Sequence, residues 1–208
     1  MVNDNNSKVI AEISAIRFNI EGMSDEEFNT QFGGNNLKDI INNQRFQESH
    51  ADDKDFQSFM QNVTKSPDTY TSALSDNTFF ATKYDAATNH NGLAVLTSDN
   101  QVVIGSNPTD PTSLTHIGTD IKMAFGTGVP DYFKSGLSFT KDVKDMLARS
   151  TYSSVTDINF VGQSLAGASA VYARVMNEGI DDRFTYGAKV FEAFGLDQWE
   201  SNTLTISQ

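Results

Sequence analysis

The feature that most constrains this chain is the stretch at residues 157–171, DINFVGQSLAGASAV. Ile158-Asn159-Phe160-Val161 is a short apolar run that reads as a buried strand. Gly162-Gln163-Ser164-Leu165-Ala166-Gly167 follows as a turn, and a helical pattern begins at Ala168. Strand, tight glycine turn and helix are the parts of a nucleophile elbow, in which the central residue is held in a strained backbone conformation at the top of a sheet. Such a turn closes only if its neighbours are small. Gly162 and Ala166, two residues either side of Ser164, meet that need, with Ala in the last place of Gly-x-Ser-x-Gly. The competing reading is an ordinary Gly-Ser turn between a strand and a helix.

Composition bounds the chemistry. The chain has 208 residues, enough for one domain with a substantial core. It has no Cys, which excludes a disulfide framework, a thiol nucleophile and a Cys-ligated zinc. Its 3 His, at positions 50, 90 and 116, stand at no metal-ligand spacing from one another, so neither a metal nor a cofactor is expected. A net charge of −12 argues against nucleic acid or an anionic membrane as partner and is accounted for by solubility. No apolar run approaches the roughly 20 residues of a membrane span. The first residues lack a basic segment followed by an apolar one, so no N-terminal signal peptide is read. The expectation is a cytoplasmic chain, or one exported without a cleaved signal.

Along the chain, residues 1–85 read as a polar, helical region packed on the core. Val9, Ile10, Ile13, Ile16 and Ile20 lie close to helical spacing. Ser24-Asp25-Glu26-Glu27 has the form of a capping box, and Gly33-Gly34 stops the helix it opens. Phe56, Phe59, Met60 and Val63 recur at i, i+3, i+4, i+7 and end before Pro67. They are expected in the core rather than on a lipid-contacting lid. Residues 86–208 change texture. Residues 87–92 are turn material. Residues 93–97 and 101–104 are short strands joined through Ser98-Asp99-Asn100 as a hairpin. Residues 131–149 read as a helix with Gly136 as a weak point, and residues 188–194 as a further strand. Strands alternating with helices in this order predict an α/β sheet with right-handed crossovers. His50 and His90 are expected at the surface.

These residues support a family resemblance. GQSLAGASAVYARVM resembles the GHSLGGALA elbow of class-3 lipases and related lipase-like α/β hydrolases, bacterial ones included. Gln101-Val102-Val103-Ile104-Gly105-Ser106 resembles the strand that ends in Arg-Gly-Thr or Arg-Gly-Ser in that family. His116-Ile117-Gly118-Thr119-Asp120 resembles its Asp-Trp-x-x-Asp segment. Val190-Phe191-Glu192-Ala193-Phe194-Gly195 resembles the strand reading Thr-Phe-Asn-Ala-Pro-Gly. The match covers roughly residues 87–197. It implies an α/β-hydrolase-like fold, mainly parallel in its sheet, with flanking helices and a helical N-terminal region. It also implies hydrolysis of carboxylic esters, with an acyl ester or lipid as substrate. By resemblance Ser164 is the nucleophile, the N–H of Leu165 donates into an oxyanion hole, and Gly105 and Ser106 supply the second donor.

The departures bear on catalysis. Gln163 replaces His, Ala166 replaces Gly, and Ile104 stands where Arg is common. The triad of such hydrolases runs Ser, acid, His along the chain, but no His follows Ser164. Asp197 is the nominee for the acid, ahead of Glu192, and His116 the nominee for an unusually placed base. Three readings compete: the N-terminal portion of a longer lipase-like protein, incomplete at its C-terminus; a catalytically inactive lipase-fold module that binds or inhibits a partner; or recruitment of His116. An incomplete sheet would leave an open edge through which a partner or second copy could pair.

Overall fold

The computed structural model describes residues 4–108 and 128–191. The chain opens with helices α1 (Asp4–Ile13), α2 (Asp25–Phe32), α3 (Leu37–Ile41), α4 (Gln44–Ser49), α5 (Lys54–Lys65) and α6 (Pro67–Asp76). Strands β1 (Asn77–Asp85), β2 (His90–Thr97) and β3 (Gln101–Ser106) come next. Then come helix α7 (Asp131–Leu147), strand β4 (Asp157–Gln163), helix α8 (Leu165–Asn177) and strand β5 (Thr185–Phe191). The strands lie side by side in chain order. β1–β2 and β2–β3 are antiparallel hairpin pairs, whereas β3–β4 and β4–β5 are parallel. The α/β fold class expected from the resemblance is present, in a sheet divided between the two pairings. Each parallel pair is joined through a helix, because a parallel connection must travel back along the strand length.

Helices cover both faces of the sheet. On one face Val9, Ile10 and Ile13 of α1, with residues of α2 to α6, share a hydrophobic cluster with Phe79, Leu93, Val95, Val103 and Val161. On the other, Phe139, Val143 and Leu147 of α7 and Ala170 and Ala173 of α8 pack with Phe80, Ala94, Val102, Ile104, Ile158 and Phe160. Neighbouring strand residues point to opposite faces. Val102, Val103 and Ile104 therefore divide between the two clusters, and the strands are apolar throughout instead of alternating.

Several local signals fold as read. Ser24 caps α2, with both halves of the capping box made. The hairpin turn after Thr97 puts Asn100 at φ 58°. Phe56 and Phe59 are buried, and Met60 and Val63 pack beside them. Other expectations are corrected. α1 stops at Ile13, and Ile16, Phe18 and Ile20 are buried from an irregular segment held by Asn91, whose Nδ2 donates to the carbonyls of Ser14 (3.1 Å) and Ile16 (3.0 Å). Helix does not continue to residue 85, because residues 77–85 form β1. Its bulge between Phe79 and Ala81 puts the adjacent Phe80 and Ala81 into one cluster, opposite Phe79, which breaks the strand's alternation. β2 begins at His90 inside the expected turn, and β5 begins at Thr185.

The outer edge of β1 is closed. Asn29 of α2 acts as a substitute peptide, with Nδ2 donating to the Thr82 carbonyl (2.9 Å) and Oδ1 accepting from Thr82 N–H (2.8 Å). Asp25 accepts from Tyr84 N–H at 2.7 Å, and Phe79 exchanges backbone hydrogen bonds with residues 34 and 35. An open edge is therefore not found at β1. Residues 192–208, beyond β5, lie outside the described residues.

Candidate active site

β4 runs in the sheet's interior between β3 and β5 and ends at Gln163. The next residue, Ser164, has φ 50° and ψ −124°, and α8 starts at Leu165. A non-glycine residue in this region is strained by of order 1–3 kcal/mol and persists where its surroundings over-determine it. Here they do. A Cβ placed on Gly162 would lie 2.3 Å from the backbone C and O of Ala166 and 2.7 Å from the N of Gly167. Strand and helix thus approach across the turn as closely as a missing side chain allows. Ser164 O accepts from Gly167 N–H at 3.0 Å, which makes Ser164 the N-cap of α8, yet its side chain makes no cap bond to the helix. The half-buried hydroxyl stands beside a helix N-terminus whose first N–H groups, that of Leu165 among them, lack intrahelical acceptors.

β3 is the strand beside β4, with Gly105 level with Val161. Gly105 has to be glycine, since an added Cβ would lie 2.0 Å from Ser14 Oγ. The segment just after α1 thus closes on the strand that leads to Ser106. Ser106 is nearly buried, at 9% exposure, and is fixed on several sides. Asn107, after it, prolongs the pairing with β2: its N–H donates to Asn91 O (3.0 Å), its Oδ1 accepts from Asn91 N–H (2.7 Å), and its Nδ2 donates to Asn89 O (3.0 Å). Tyr132 of α7 donates its Oη–H to the Asn107 carbonyl. Burial pushes the Tyr132 phenol far up, and a side-chain hydrogen bond with Ser106 works weakly against it.

His90 is the residue that sequence reasoning misplaced. It is 1% exposed, and its Nε2 lies 3.0 Å from Ser106 Oγ. Its ring meets Tyr132 edge-on at 4.8 Å. Gly136 of α7, expected as a weak point, makes room for it: a Cβ there would stand 3.4 Å from His90 Nε2 and 3.2 Å from Ser169 Oγ. His90 is hidden by a helix far along the chain, a placement no local pattern reports. The gap left between Ser106, Gly136, Thr140 and Ser169 is about 10 Å³, at the lower limit for one water. His50 is also buried, at 3% exposure, and its nitrogens lie 2.7 Å from the carbonyls of Phe46 and Arg17, so it is a structural residue of the N-terminal region.

The structure therefore brings Ser164, Leu165, Gly105, Ser106 and His90 to the ends of adjacent strands on one rim of the sheet. His116, Asp197 and Glu192 lie outside the described residues. Among the described residues no group of His, Asp and Glu could hold a metal ion, and no helix is long and apolar enough to cross a membrane.

No family profile matches the chain, and no curated protein does. Solved structures similar to it include lipase II from Rhizopus niveus, at 13% identity and TM-score 0.46, covering 69% of this chain and 61% of that one. A lipase from Rhizopus microsporus var. chinensis matches at 16% identity and TM-score 0.44, over 64% of this chain and 52% of that one. A fungal lipase in complex with an inhibitor matches at 16% identity and TM-score 0.43, over 60% and 54%. The chain spans 52% to 61% of the length of these fungal structures.

Proposed function

We propose that this chain is a lipase- or esterase-like serine hydrolase, or the N-terminal portion of one, that cleaves carboxylic esters of acyl lipids through Ser164. The observation that carries this reading is the backbone of Ser164, φ 50° and ψ −124°, set between a buried strand and a helix N-terminus with Gly162 against Ala166. Strain at a hydroxyl-bearing residue has no packing benefit of its own. In a nucleophile elbow such a turn serves to present the hydroxyl at the top of the sheet, where an ester carbonyl can reach it.

In this mechanism Ser164 Oγ attacks the carbonyl carbon while a base takes its proton. The carbonyl oxygen becomes negative and is met by the Leu165 N–H and by a donor from Gly105 and Ser106. Removing one such donor typically costs about 2.7–4 kcal/mol of transition-state stabilisation. The collapsing intermediate expels the alcohol and leaves an acyl-serine for water to hydrolyse. His116 and Asp197 are the proposed base and acid.

A second reading, a catalytically silent lipase-fold module that binds or inhibits a partner, is favoured by the histidines. His50 is spent on backbone carbonyls and His90 bonds Ser106, so neither stands ready as a base for Ser164. Hydrolysis of p-nitrophenyl esters of graded acyl length separates the two. The hydrolase reading expects turnover that Ser164→Ala abolishes. Equal background rates for wild type and Ser164→Ala would favour the silent module.

A further inference from the structure

The contact between His90 and Ser106 can be made in two ways, and they do opposite things. If His90 Nε2 carries a lone pair, Ser106 spends its single O–H on the imidazole. If Nε2 carries the proton, His90 donates to Ser106 Oγ, and the Ser106 hydrogen stays available to another acceptor. The surroundings favour the second arrangement. Tyr132, kept protonated by burial, gives its own O–H to the Asn107 carbonyl, so its oxygen faces Ser106 as an acceptor. Ser106 thus has an acceptor and needs a donor, which His90 supplies from 3.0 Å.

We propose that His90 is a positioning residue: held with a proton on Nε2, it donates to Ser106 Oγ and leaves the Ser106 O–H to swing from Tyr132 to the oxyanion formed at Ser164. This rests on the Ser164 hydrolase reading. His90 touches no reacting atom in it. It fixes the oxygen, and the gap beside Ser106, about 10 Å³, has room for one water at most. Gly136 and the Tyr132 ring hold the imidazole in turn.

The test reads His90 directly in the unreacted protein. Protein carrying ¹⁵N-histidine is observed by long-range ¹H–¹⁵N correlation at neutral pH, with the signal assigned by its loss in His90→Gln. A protonated Nε2 is expected, and an unprotonated Nε2 overturns the proposal whether or not Ser164 reacts. A second arm tracks the rate at which a fluorophosphonate reacts with Ser164. Because loss of an oxyanion donor costs about 10²- to 10³-fold, His90→Leu is expected to slow the reaction by about tenfold or more at unchanged reversible affinity. His90→Gln, whose amide N–H reaches the position of Nε2, is expected to recover most of the rate. A folded His90→Leu that reacts at the wild-type rate overturns the proposal. If His90→Leu does not fold, the tautomer and the rate of His90→Gln decide, and a His90→Gln slowed as much as Ser106→Ala also counts against it. Wild-type protein that fails to react counts instead against the Ser164 reading.

Discussion

Ser164 and Gly162 show how much of the site is fixed within a few residues. The positive φ at Ser164 results from turning out of a buried strand straight into a helix, and the turn closes only because position 162 carries no Cβ. Both were legible in the sequence, because the motif is local and the steric demand acts across four residues. Gly162→Ala is expected to destabilise the fold by about 1–3 kcal/mol, as overpacking typically does, and to remove reactivity at Ser164; a denaturant midpoint equal to the wild type's would contradict this. His90 was not legible, since its burial comes from Tyr132 and Gly136 on a distant helix. The same neighbourhood sets a pH dependence. The Ser135 hydroxyl, above all, holds the Asp85 carboxyl below its ordinary value, with help from Ala87 N–H, Thr88 and the charge of His90. A carboxylate with a depressed folded pKa stabilises the fold above its unfolded value and loses that contribution as pH falls through the folded one. Asp85→Asn should therefore flatten the loss of stability below about pH 4, as read by urea midpoints across the acid range.

Among the elements, those governed by contiguous signals matched expectation and those governed by partners did not. The capping box at Ser24 and the hairpin at Asn100 are written in adjacent residues. β1 is not, because a two-sided core and a bulge erase its period, and α1 ends early because Asn91 captures the carbonyls of Ser14 and Ile16. The edge of β1 supplies a test. Asn29→Leu would strip Thr82 of both partners, and each buried backbone group left unpaired costs about 1–3 kcal/mol. The variant is expected to lose stability on that scale and to self-associate through the exposed edge, measured by denaturation and sedimentation. A monomer of wild-type stability would show that Asn29 does not guard the edge.

For the whole molecule, the helical region before residue 77 and the sheet after it share one core. Phe18, Phe28, Phe46 and Phe79, from a loop, two helices and β1, form a single aromatic cluster, with Phe18 and Phe79 stacked at 5.8 Å. Composition foretold apolar stripes, but which face of the sheet they would cover depends on register and crossover, which no stripe encodes. Phe28→Ala is expected to cost about 3–5 kcal/mol and to lower one cooperative transition seen equally by far- and near-ultraviolet circular dichroism. Two separated transitions would mean that the helices and the sheet fold independently.

The layers meet at the rim where β4 gives way to α8, and the central claim is that this rim activates Ser164 as a nucleophile. The most direct test is reaction of the folded protein with a fluorophosphonate probe, then peptide mass spectrometry. A single adduct on Ser164, absent from Ser164→Ala and from heat-unfolded protein, is the expected result. No adduct, or one on another serine, would contradict the account.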